Sequence, residues 1–118
     1  MQIKNSIKFI IFFLLCFFVS NINLNAEEFN ISAKEIVIDK DNEILTGTGM
    51  VEVIDSDGRV INANKIVYKK TIKFLTAEGN VSITDIKGNV LSSDKATYDK
   101  LNEIINTYNN TTVILNGH

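Results

Sequence analysis

The stretch LTGTGMVEVIDSDGRVINANKIVY begins at Leu45, and LTAEGNVSITDIKGNVLSSDKATY begins thirty residues later at Leu75. Set one above the other without a gap, they agree at Leu, Thr, Gly, Val, Asp, Gly, Val, Lys and Tyr. The register also runs outwards. AKEIVI from Ala33 stands thirty residues before ANKIVY from Ala63, which stands thirty before SDKATY from Ser93, while Ile105 and Val113 fall under Leu75 and Ile83. A fixed period constrains the fold more than composition does. Each copy is one supersecondary unit that cannot bury its apolar face alone, so the copies must stack.

Clusters of Asp, Asn, Gly and Lys punctuate the copies. They lie at DKDNE (Asp39 to Glu43), DSDG (Asp55 to Gly58), KKT (Lys69 to Thr71), DIKG (Asp85 to Gly88), DKLN (Asp99 to Asn102) and Asn116-Gly117. These residues tolerate positive φ or bond their own backbone, and they end strands. Their centres are spaced alternately by 17 and 13 residues. Each unit is therefore one longer and one shorter strand joined by tight turns. Between turns the chain is rich in Val, Ile, Thr and Tyr, with no apolar stripe of helical period.

In the longer strands the odd positions are apolar: Leu45, Val51 and Val53, then Leu75, Val81 and Ile83, then Ile105, Val113 and Leu115. A period of two turns one face to an interior and the other to water. The shorter strands change phase, with Ile61 and Ala63 on one parity and Ile66 and Tyr68 on the other, which a bulge would reconcile. The expected class is all-β and mostly antiparallel. Long hairpins stand side by side in a folded sheet or roll, a β-solenoid being the alternative.

Lys4 and Lys8 precede the apolar run FIIFFLLCFFV, Phe9 to Val19, and polar SNINLNAEE follows. Eleven residues at 1.5 Å each are too short for a bilayer core about 30 Å thick. The segment reads as a secretory signal peptide over residues 1–26 with cleavage after Ala26. Leu15 before Cys16, and the apolar run continuing behind it, disfavour a lipid-anchor signal. The domain of residues 27–118 then has no cysteine and must cohere by core burial and strand pairing. It keeps all 14 acidic residues but loses two of the 12 basic ones, and no basic patch remains to bind nucleic acid.

Catalytic groups are scarce. The one histidine is His118, no serine occupies a nucleophile elbow, and no glycine-rich loop opens a helix. DKDNE resembles the opening of a calcium loop, but Ile44 stands where that loop needs Gly. Asp55 and Asp57 read as turn residues. Neither an enzyme, nor a metal site, nor a cofactor is expected.

The repeat has a counterpart. Gly79-Asn80-Val81, then a turn, then Ser93-Asp94 with Tyr98 four residues on, resembles the OstA-like repeat of the lipopolysaccharide-transport proteins. Gly49-Met50-Val51 with Ala63, Asn64 and Tyr68 is a looser copy, and the first copy keeps only Ala33 of the second element. The resemblance covers about Ile31 to Val113. It implies a β-jellyroll, a folded sheet open along one side, in the periplasm and associated with the outer membrane. In such a protein Leu45, Val51, Val53, Leu75, Val81 and Ile83 would meet the acyl chains of lipid A. Other OstA-like domains would be partners through edge strands near Ile36 and Val113, and a chain with no proline leaves such edges open. The resemblance fits a free bridge protein or the amino-terminal periplasmic domain of the outer-membrane assembly barrel. A secreted structural or adhesive β-repeat protein is the alternative of another class. Because Asn-Gly is a strong hairpin signal, the third long strand is expected to turn back, and residue 118 falls short of that return strand. Truncation or strand donation by a neighbour is the expectation.

Overall fold

The computed structural model describes the backbone of residues 22–26 and the whole of residues 29–116. Most of the expected signal peptide therefore lies outside the described residues, as do Gly117 and His118. The described chain forms nine strands: β1 (Ile22–Ala26), β2 (Phe29–Ala33), β3 (Glu35–Asp39), β4 (Ile44–Asp55), β5 (Val60–Lys69), β6 (Phe74–Thr84), β7 (Val90–Asp99), β8 (Ile104–Tyr108) and β9 (Thr112–Ile114). They make one antiparallel sheet in the order β1-β2-β4-β5-β6-β7-β8, in which β3 also pairs with β4 and β9 with β7. The two outer long strands are thus each broken in the middle. β2 and β3 share one side of β4, and β8 and β9 share one side of β7. The third long strand expected from the sequence is this broken pair rather than one continuous strand.

The break belongs to a line that crosses the whole sheet. On β4 the register skips from Thr48 to Val51 while β5 moves from Lys65 to Ala63, so Gly49 and Met50 oppose the single residue Asn64. On β6, Gly79 and Asn80 oppose Asn64 on one side and Asp94 on the other. Between β8 and β9, Asn109 and Asn110 oppose Asp94. All six bulged residues have positive φ: 84° and 45° at Gly49 and Met50, 82° and 48° at Gly79 and Asn80, and 65° and 51° at Asn109 and Asn110. One extra residue bends a strand and increases its twist. Three such bulges in line, thirty residues apart, crease the sheet so that its two halves fold towards each other. The same crease resolves the phase change in β5. Ile61 and Ala63 are buried before it, Ile66 and Tyr68 after it, with exposed Asn64 and Lys65 between.

The turns repeat as faithfully. Asp55 Oδ1 accepts hydrogen bonds from the backbone N–H groups of Asp57 and Arg59, and Asp85 Oδ1 accepts them from Lys87 and Asn89, each at 2.9 Å. At the other end Asp39 and Asp99 each hold the N–H of the asparagine three residues on, and a 3-10 turn, Lys70–Ile72, takes that place in the middle hairpin.

Ile22–Ala26, the tail of the expected leader, pairs in full register with β2. At the far edge Asn116 donates from its backbone N–H to Asn89 Oδ1 (2.8 Å) and from Nδ2 to the Lys87 carbonyl (2.7 Å). The architecture is all-β, an open antiparallel sheet folded into a jellyroll.

Candidate functional site

Two rows of inward side chains cross the sheet, one in each half. In the first half the paired residues are Ile31, Val53, Ile61, Ile83, Leu91 and Val113. In the second they are Ile38, Leu45, Tyr68, Leu75, Tyr98 and Ile105. Period two puts these on one face, and the crease brings the rows together. The ring of Phe29, at the strand end of the first half, meets Tyr68 edge-on at 4.9 Å and Tyr98 at 5.7 Å, both from the second half. The core is one continuous cluster that includes Ile66, Ala77 and Ala96 between the crease and the second row.

Burial along the rows is uneven. The central members are almost wholly enclosed, whereas Ile38 at the β3 edge is 50% exposed and Val113 at the β9 edge 57% exposed. The apolar interior therefore reaches the surface at two diagonally opposite corners, one on each outer edge.

The residues expected to line the interior all point into it. Leu45 and Leu75 stand in the second row, Val53 and Ile83 in the first, and Val51 and Val81 beside the crease, all buried. Of the repeat-motif residues, Ala63, Tyr68 and Tyr98 are also buried in this core. Gly49, Gly79 and Asn80 instead shape the crease. A Cβ on Gly79 would lie 2.5 Å from Asn64 Nδ2, and one on Gly49 3.1 Å from Lys34 Cβ, so the strands close up there because these positions are bare. Asp94 ties the crease to the last edge: its N–H donates to the Asn109 carbonyl (3.1 Å) and its Oδ2 accepts from Asn110 Nδ2 (2.8 Å).

Asp55 and Asp57, which the sequence marks as turn residues, and Tyr98, which it marks as part of the repeat motif, belong to one polar cluster with Arg59, Lys100 and Glu103. Asp55, Asp57 and Arg59 belong to the β4–β5 turn, at the end of the first half. Tyr98, Lys100 and Glu103 belong to the end of β7 and the turn after it, in the second half. The two sets interlock. Tyr98 Oη donates to Asp55 Oδ2 (2.8 Å) and accepts from Arg59 Nη1 (2.6 Å). Lys100 Nζ reaches Asp57 Oδ2 (3.0 Å) and Glu103 Oε1 (3.1 Å). Arg59 and Lys100 both lie 5.6 Å from the Tyr98 ring centre.

The Asp55 side chain is 0% exposed and that of Lys100 only 6%. Burial works against the Asp55 carboxylate, but the hydrogen bonds from Arg59, Tyr98 and Asp57 outweigh it and hold its pKa below the usual value. Burial likewise works against the Lys100 ammonium, and its bonds to Asp57 and Glu103 outweigh that and raise its pKa. Burial, then the bond to Asp55, raises the pKa of the Tyr98 hydroxyl, which stays protonated as a donor. The only sequence signal for this cluster is an acid-rich turn and a Tyr-Asp-Lys turn 43 residues apart, which no local pattern connects.

The apolar interior is closed over its centre and comes to the surface only at the two edge corners. Comparison with solved structures finds the crystal structure of LptH, the LptA homologous periplasmic component of the conserved lipopolysaccharide transport device from Pseudomonas aeruginosa. The TM-score is 0.70 at 13% identity, over 80% of this chain and 78% of that one. The likeness shows the fold, that of an LptA-like OstA domain. No family model and no curated protein matches the chain.

Proposed function

We propose that this protein carries lipopolysaccharide through the periplasm, holding the acyl chains of lipid A between the two facing rows of its folded sheet. The observation that carries the reading is the pair of apolar rows that oppose each other across the crease and emerge at Ile38 and Val113. Each acyl CH₂ taken from water contributes about 0.8 kcal/mol, so shape and apolar lining suffice for binding. The likeness in fold to LptH supports the same reading. The basic, then apolar, amino terminus supports export. Acyl chains would enter by spreading the halves, replacing contacts among Leu45, Val51, Val53, Leu75, Val81 and Ile83 with contacts to lipid.

The same features support assembly with further OstA-like domains. β3 and β9 each pair on one side only, and the interior reaches the surface beside them. A second copy set against either edge would continue both the ladder of hydrogen bonds and the apolar rows.

Photo-crosslinking tests the reading. A photoreactive residue at Leu45, Val53, Leu75 or Ile83 is expected to capture lipopolysaccharide, and one at Glu52 or Ser82, on the opposite face, is not. Equal capture from both faces would overturn it.

A further inference from the structure

The interlocked turns lie on the side of the fold away from the crease. Asp55 ends β4 in the first half and Tyr98 nears the end of β7 in the second, and two strands separate β4 from β7 within the sheet. Their contact therefore passes across the folded interior and not along the sheet. The crease joins the two halves covalently on one side. On the other side the cluster of Asp55, Asp57, Arg59, Tyr98, Lys100 and Glu103 ties them by polar bonds, beside the edge-on contacts of Phe29 with Tyr68 and Tyr98. A cleft of about 310 Å³, lined by Ser56, Asp57, Lys73, Lys100, Leu101 and Glu103, separates the turns beside these bonds.

The neighbouring turn is a natural comparison. Asp85 makes the same local bonds as Asp55, to Lys87 and Asn89, but the hydrogen bonds of its side chain stay within its own turn. Nothing in the local turn requires Asp55 to be buried or Arg59 to reach Tyr98. Those features serve the contact between halves.

We propose that this cluster is a latch that holds the apolar interior shut, and that its release, with the crease as hinge, is the step that admits an acyl chain. The inference rests on the proposed lipid-carrying function for its purpose, but the latch itself is a property of the chain alone. Tyr98 is its node, because one hydroxyl bonds groups from both halves. Removing that oxygen leaves the ring against Phe29 and unties the polar side. A hydrogen bond to a charged group contributes enough that its loss changes an opening equilibrium by about tenfold or more.

The test uses the full chain with its one cysteine replaced, Cys16→Ser, and Ala77→Cys as a reporter on the buried inner face. The labelling rate of this thiol by a small maleimide reads opening without any lipid. Adding Tyr98→Phe or Lys100→Met is expected to raise the rate about tenfold, and adding Asp85→Asn to leave it unchanged. Gly79→Ala, which weakens the crease but keeps the latch, controls for global unfolding. It should lower the urea midpoint without a matching rise in labelling. A rise in the latch variants no larger than that in Gly79→Ala would overturn the latch. A fluorescent fatty-acyl probe then separates the two ideas. The latch variants are expected to bind it faster than the parent. Faster labelling with no probe binding in any variant would overturn the carrying function and leave the latch as an opening device. Probe binding at one common rate, despite faster labelling, would overturn the latch as the step that admits lipid.

Discussion

At the level of single residues, backbone sign explains the repeat motif. Gly49 and Gly79 recur because the crease requires positive φ and a bare Cα facing Lys34 or Asn64. Their period was legible in the sequence, and the conformation behind it was not, since Met50 occupies the same left-handed region as Asn80 and Asn110 with none of their tolerance for it. The pair Asn109-Asn110 repeats Gly79-Asn80 at the thirty-residue interval, but without glycine it read as part of a continuous strand. Two outcomes follow. Gly79→Ala forces a Cβ into the left-handed region against Asn64 and is expected to cost ~1–3 kcal/mol in urea unfolding. Met50→Asn, which places the residue of the second copy in the first, is expected to stabilise by roughly 0.5–1 kcal/mol in the same measurement.

At the level of elements, the hairpins were readable because Asp, Gly and Asn mark turns by their own backbone chemistry, and Asp55–Gly58 and Asp85–Gly88 fold as that chemistry dictates. What the turns do beyond reversing the chain depends on which turn they meet, and the meeting of residues 55–59 with 98–103 is set by the crease. It gives the fold a pH dependence. The Asp55 carboxyl has its pKa lowered in the folded chain from the ordinary value of 3.8, so the unfolded chain takes up the proton first. The stabilisation is complete above about pH 4 and is lost as the pH falls through the folded value. The urea midpoint is expected to fall between pH 5 and pH 3. Asp55→Asn should lower stability at pH 7 and give a shallower acid slope. That slope should not vanish, since the pKa values of Asp39 and Asp85 are lowered too. An acid slope identical in parent and variant would contradict the assignment.

At the level of the whole molecule, strand parity told which residues face inwards, and all six candidates do. Parity could not tell what they face, because a flat stack, a solenoid and a folded sheet share it, and three aligned bulges decide among them. The broken outer strands leave two edges whose inward residues are half exposed. Ile38→Lys and Val113→Lys each place a charge at such an edge without touching the enclosed core, and edge charges oppose strand addition. Each is expected to leave the urea midpoint within about 0.5 kcal/mol of the parent while abolishing self-association in sedimentation velocity. Undiminished self-association in both variants would move the contact elsewhere. The aligned bulges also fix how such a molecule can change over evolutionary time. A coding duplication of thirty codons adds one long and one short strand with the bulge already in place. With strands about 4.8 Å apart it lengthens the interior by roughly 10 Å. An insertion of an odd number of residues within a strand turns the side chains beyond it to the wrong face and moves them out of step with the bulge. Descendants of this chain should therefore differ in length by whole hairpins, or at the turns, and seldom by an odd number of residues within a strand.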